Sequence, residues 1–269
     1  MCALQFDEYG GPEALRWADA PEPHAGTGEV RIAVKAASVN PIDWKKLRGA
    51  TSGGKPMTGT GYLGNDASGV VDEVGEGVTG VSVGDEVFGR GRNAQAEFAV
   101  LNAWAVKQPS VDWAVAAAVG VAGETSERAL RLLDAKPGET LFIDGGAGGV
   151  GAVAVQMALA RGIRVIASAG ESNQDYLREI GAIPVLYGQG VADRVREAAG
   201  GQVDKVFDVA AWRPSSRDSM PSTLDSSRSM RAPTTAKPAD VIVSRRSSRS
   251  PCSICVARRL CSSRTSCRR

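Results

Sequence analysis

Leu141-Phe-Ile-Asp-Gly-Gly-Ala-Gly-Gly-Val-Gly151 is the stretch that decides the fold. Thr140-Leu-Phe-Ile-Asp144 is a short apolar run of strand length, and Gly149 to Arg161 is rich in Ala over a helical length. Between them Gly146, Gly148 and Gly151 spell G-x-G-x-x-G, in the strand–turn–helix setting that the motif requires. We expect Gly146 to permit the turn, Gly148 to admit a pyrophosphate close to the backbone, and Gly151 to let helix and strand touch. Ala147, Gly149 and Val150 complete the cradle, where unpaired amides and the positive end of the helix face the phosphates. The motif predicts a dinucleotide site.

Downstream, strand and helix alternate. Ile163–Ala167, Ile183–Leu186 and Lys205–Val209 read as strands, with helices over Asn173–Ile180 and Val191–Ala199. That order predicts a doubly wound parallel sheet. The second strand ends Ile166-Ala-Ser-Ala-Gly170. An NAD site places an acidic residue there to hold the ribose 2′-hydroxyl. Ala169 is small and neutral, which favours NADPH, with Ser168 and Ser172 as donors to the 2′-phosphate. Glu171 lies close enough in sequence to keep NAD open.

Upstream the pattern is short strands and Gly-rich turns. Val30–Val39, Ala67–Val74 and Ala94–Leu101 read as strands, and Gly75-Glu-Gly77 and Gly84-Asp85 as turns. This predicts a β-rich domain or partial barrel. Asp112 to Leu133 has helical spacing, with interruptions expected at Gly120 and Gly123.

Composition removes several kinds of chemistry. His24 is the only histidine, in a Pro/Gly-rich loop, and reads as a solvated surface residue. Cys2 is the only cysteine before residue 252. Neither a His/Cys zinc site nor a histidine-dependent nucleophile can be assembled from the first 211 residues. No apolar run reaches membrane-spanning length, and the N-terminus lacks the basic and apolar regions of a signal peptide. We expect a cytoplasmic protein with no membrane partner.

Several segments together are similar to the zinc-free quinone oxidoreductases, zeta-crystallin-like members of the medium-chain dehydrogenase/reductase superfamily. Asn40-Pro-Ile-Asp-Trp-Lys-Lys-Leu-Arg-Gly49 resembles their N-P-x-D-x-K-x-R-x-G segment, with the Arg shifted by one position. Leu63-Gly-Asn-Asp-Ala-Ser-Gly-Val-Val-Asp-Glu-Val-Gly75 resembles G-x-D-x-x-G-x-V-x-x-V-G, and Gly84-Asp-Glu-Val87 follows it. Val121-Ala-Gly-Glu-Thr125, Lys136-Pro-Gly-Glu139 and Ala147–Gly151 come in family order. Where zinc alcohol dehydrogenases carry G-H-E, this chain has Gly64-Asn65-Asp66.

The resemblance implies a GroES-like catalytic domain over 1–115 and a Rossmann domain over 116–211, with the substrate between them. It implies hydride transfer from NADPH to a quinone or an α,β-unsaturated carbonyl, a small-molecule partner, and no metal. Asn40 and Asp43 are the candidates near the nicotinamide or substrate; turn and helix-cap duty is their competing role. Tyr62 is a candidate proton or hydrogen-bond donor, and Thr125 a candidate cofactor contact. Asp208 reads as a strand-end residue near the nucleotide.

Residues 212–269 differ in kind. They hold fifteen Ser, twelve Arg and no Gly, and carry +10 against −8 for the rest. So little apolar material predicts disorder. We expect a change of reading frame near Ala211–Trp212, and with it an unpaired sheet edge, poor solubility and little activity. The competing functional reading is an impaired family member that binds nucleotide or a partner without turnover. Cys252, Cys255, Cys261 and Cys267 lack the second C-x-x-C of a zinc site, and the Arg-rich stretch lacks aromatic platforms for nucleic acid. A homodimer is expected only if the C-terminal part is intact.

Overall fold

A computed structural model of the chain describes residues 1–210 and the backbone of Ser229–Arg231. The chain forms two compact units, which divide between Val121 and Ala122.

The first unit is antiparallel β structure. β1 (Cys2–Phe6) lies between β2 (Arg16–Asp19) and β4 (Gly61–Tyr62). β3 (Val30–Ala37), β5 (Asp66–Val74), β6 (Glu86–Arg92) and β7 (Phe98–Val106) close into a small barrel. Closure leaves these four strands without an open edge. Alternate residues point inward, so Val30, Ile32, Ala67, Val71, Val87, Ala99 and Leu101 fill the barrel. β6 falls on a stretch that the sequence marks only by its turn, and β7 runs to Val106, past the Leu101 expected from the apolar pattern. α1 (Pro41–Leu47) follows β3, with Asn40 as its N-cap and Pro41 opening it.

α2 runs unbroken from Trp113 to Leu132, which corrects the expected interruptions. Gly120 is there for closeness. A Cβ at Gly120 would lie 2.5 Å from the Asp66 Cβ.

The second unit is a parallel sheet in the order β10-β9-β8-β11-β12. Its strands are β8 (Thr140–Asp144), β9 (Arg164–Ala169), β10 (Ile183–Leu186), β11 (Lys205–Asp208) and β12 (Ser229–Arg231). Three helices join β8 through β11: α3 (Gly149–Ala160), α4 (Gln174–Glu179) and α5 (Val191–Ala199). One face packs Leu141, Ile143, Val165, Ala167 and Phe207 against Ala154, Val155 and Ala158 of α3. The other packs Phe142, Ile166, Val185 and Val206 against Val195 of α5. Both faces are covered, as a parallel sheet requires. The strand order reverses between β8 and β11, which makes their carboxyl ends the topological switch point.

β12 corrects one expectation. The outer edge of β11 was expected to be bare, yet Val206, Phe207 and Asp208 take Ser229, Met230 and Arg231 as parallel partners. Apart from the backbone of these three residues, the disorder expected of 212–269 lies outside the described residues. No helix among the described residues is long and apolar enough to cross a membrane.

Candidate functional site

The phosphate-loop candidate lies at the switch point, between Asp144 at the end of β8 and Gly149 at the start of α3. The backbone reverses at Gly145, whose φ of +83° is in the left-handed region. That corrects the role expected for Gly146, one residue later. Gly146 is needed for packing instead: a Cβ there would sit 2.6 Å from the Ala167 Cβ on β9. Gly151 packs as expected, since a Cβ would fall 2.2 Å from the Gly145 carbonyl oxygen. Gly148 is the N-cap of α3 in an extended conformation, and space around Gly149 is open. The first-turn amides of Gly149, Val150 and Gly151 have no partner inside the helix and suit an anion.

Ser168 sits differently from its sequence expectation. It is fully buried in β9. Its hydroxyl donates to Asp144 Oδ1 and accepts from the Gly145 amide at 2.9 Å. Its carbonyl accepts from the Gly146 amide at 2.9 Å. Ser168 thus holds the turn from within, because a buried, engaged hydroxyl has nothing to offer a surface phosphate. Burial pushes the Asp144 carboxyl above the usual carboxylate range, and neighbouring Asp208 adds to the rise. Ser172 is exposed in a short 3₁₀ turn just beyond β9. Arg178, the nearest cation along the chain, pairs with Asp175. Thr125 lies on α2 beside Ser126, whose hydroxyl donates to the Val150 carbonyl at 3.1 Å and ties α2 to α3.

The first unit gathers a second polar cluster where β3, α1, β5 and α2 meet. Asn40 Nδ2 donates to Ser38 Oγ and to Asp66 Oδ1, each at 2.8 Å. The Ser38 hydroxyl also donates to Asp66 Oδ1. Asp66 Oδ2 accepts from the Val121 amide at 2.7 Å. Asp43 Oδ2 accepts from the Asn40 amide at 2.7 Å. Asp43 Oδ1 accepts from the Gly64 amide at 3.0 Å and from Asn65 Nδ2 at 2.8 Å. Ser38, Asp43 and Asp66 are buried, whereas Asn40 and Asn65 are half-buried and form the rim. Burial raises both carboxyls above their ordinary range; their own hydrogen bonds pull the other way.

The structure therefore brings Asn40 and Asp43 together. The capping role read for them is present, since Asp43 accepts from the N-cap amide of its own helix. Tyr62 goes elsewhere, with its ring packed on the Ala3–Ala20–Ala96 cluster. Sequence reasoning missed Ser38, Asn65 and Asp66 as partners of Asn40 and Asp43. The signal was present in Gly64-Asn65-Asp66, the segment that departs from G-H-E.

Two family profiles match the chain. One, described as alcohol dehydrogenase GroES-like domain, covers residues 26–129; the other, zinc-binding dehydrogenase, covers 149–228. A quinone oxidoreductase of Rattus norvegicus is 33% identical over 230 residues, spanning 81% of this chain and 69% of the relative. A chloroplast envelope quinone oxidoreductase homolog of Arabidopsis thaliana is 35% identical over 199 residues, spanning 69% of this chain and 60% of the relative. A mycobacterial structure complexed with NADPH superposes with a TM-score of 0.67 at 35% identity, covering 77% of this chain and 66% of that one. The chain thus spans less than two thirds of the Arabidopsis and mycobacterial proteins.

The second profile's description implies a zinc ion. The residues present do not fit one. Asp43 and Asp66 each accept from three N–H or O–H donors, which take most of the lone pairs that a metal needs. Asn40 and Asn65 turn their NH₂ groups toward these carboxylates. Among the described residues no three His, Cys, Asp or Glu side chains are grouped to hold a metal.

Proposed function

The chain belongs to the quinone oxidoreductase family of the medium-chain dehydrogenases/reductases, and from that premise we propose that it binds NADPH and serves hydride transfer to a quinone or an α,β-unsaturated carbonyl without zinc. One observation carries the reading. The glycine turn, with Gly151 against the Gly145 carbonyl, stands at the switch point of a parallel sheet and opens a helix. The mycobacterial relative solved with NADPH supports it.

When bound, NADPH supplies a hydride from its nicotinamide C4. The chain's own residues bind and orient. The amides of Ala147 and of Gly149–Gly151 would hold the pyrophosphate, aided by the α3 dipole. Neutral Ala169 leaves room for a 2′-phosphate, and the exposed Ser172 hydroxyl can donate to it. In the first unit Asn40 and Asn65 offer polar contact to the substrate. Asp43 and Asp66 hold those amides in place, and no strong base is needed.

Titration of the full chain with NADPH, followed by addition of a naphthoquinone, tests this. Saturable binding and quinone-dependent NADPH oxidation are expected. Binding without oxidation would leave only the nucleotide-binding reading, and no binding would remove both.

A further inference from the structure

The residues that hold the glycine turn have work beyond packing. Gly145 and Gly146 turn their amides inward: the first donates to Ser168 Oγ and the second to the Ser168 carbonyl, both at 2.9 Å. Gly148 donates to the Gly145 carbonyl at 3.0 Å, which closes the turn. The buried Ser168 hydroxyl can serve Gly145 only as an acceptor, so its own hydrogen must go elsewhere. Asp144 Oδ1, one residue before the turn and on the neighbouring strand, takes it. The relay runs Gly145 N–H to Ser168 O–H to Asp144 carboxylate, across the carboxyl ends of β8 and β9.

We propose that Asp144 and Ser168 are positioning residues of the phosphate loop. Asp144 orients the Ser168 hydroxyl, and Ser168 fixes the Gly145–Gly146 backbone so that the amides beyond it stay turned toward a bound pyrophosphate. The proposal rests on the dinucleotide reading above and assigns these two side chains within it. Neither side chain touches the ligand. Their effect must therefore be equal for NADPH and NADH, which share the pyrophosphate and differ at the 2′-position. A serine bound to the 2′-phosphate would affect NADPH alone. Asp144 also carries charge near an anion site, and that effect has the opposite sign: deleting a mere repelling charge would tighten binding.

The test is fluorescence titration of the full chain with NADPH and with NADH, well below the melting temperature, for the unmodified protein, S168A, D144A and the double variant. We expect S168A and D144A each to weaken both ligands by the same factor, about fivefold, the worth of one hydrogen bond. The double variant should lose less than the sum of the two single losses, because both side chains act on the Gly145 amide. Selective loss of NADPH, tighter binding in D144A, additive losses, or unchanged affinities would each overturn the proposal. If the unmodified chain binds neither ligand, the dinucleotide reading falls and the proposal with it. The Asp144 and Ser168 variants still bury an alanine Cβ in the same strands; Ser168→Thr, which keeps the hydroxyl, should restore affinity if it folds.

Discussion

The two units each bury an aspartate beside the residues that the sequence marks for function, and they use it differently. In the first, Asp66 gathers donors from three elements: Ser38 after β3, Asn40 at the start of α1, and the Val121 amide on α2. In the second, Asp144 is engaged by the Ser168 hydroxyl and the adjacent Gly145 amide, and the turn is shaped mainly by glycines and backbone bonds. The barrel rim joins strand ends to two helices that no backbone ladder connects to them, so side chains must tie these elements together. A parallel sheet already aligns its strand ends, and one tight turn finishes the site. The first unit therefore depends on charge and hydrogen bonds, and the second on the absence of Cβ atoms.

Four measurements would break or sharpen that contrast. Gly151→Val should have the largest effect. Its Cβ would meet the Gly145 carbonyl at 2.2 Å, and a backbone atom cannot swing aside. We expect a loss of about 3 kcal/mol in urea unfolding and loss of NADPH binding. Asp66→Ala should come next, at about 2–3 kcal/mol, because three buried or half-buried donors lose their acceptor. Binding of ADP to the second unit should stay within about twofold, since that variant removes no charge or bond at the phosphate loop. Equal damage to ADP binding would break the comparison.

The pH dependence of stability is the third. The carboxyls of Asp43, Asp66 and Asp144 are held above their unfolded values, chiefly by burial. In that case the folded state binds protons more readily than the unfolded chain. Their contribution to stability is full below the ordinary carboxylate range and is lost as pH rises through the elevated values. Melting temperature should therefore fall as pH climbs out of that range, and Asp144→Asn should flatten part of the slope. A slope unchanged in the variant would remove Asp144 from the account. Ser172→Ala should give the smallest effect, about a threefold loss for NADPH and none for NADH, from one exposed hydrogen bond.

Much of the fold was legible because periodicity and glycine spacing are local signals. The alternation from Thr140 to Val209 placed the strands of the second unit within a residue or two, apart from β12. Gly120 misled because propensity reads a glycine as an interruption, whereas here it makes room for Asp66 from a distant strand. Ser168 misled for a related reason. A serine at a strand end reads as a ligand donor, and only the position of β8 shows Asp144 taking its hydrogen.

The sequence by itself determined a β-rich unit, a parallel α/β unit, the glycine loop between strand and helix, and the lack of His and Cys ligands in the first 211 residues, because all of these are written in composition and short-range spacing. Tertiary structure alone decided which glycine makes the turn, that β12 covers part of the β11 edge, and that Asn40, Ser38 and Asp66 share one network. Those depend on contacts between residues twenty or more apart in the chain, set by how strands register and helices dock.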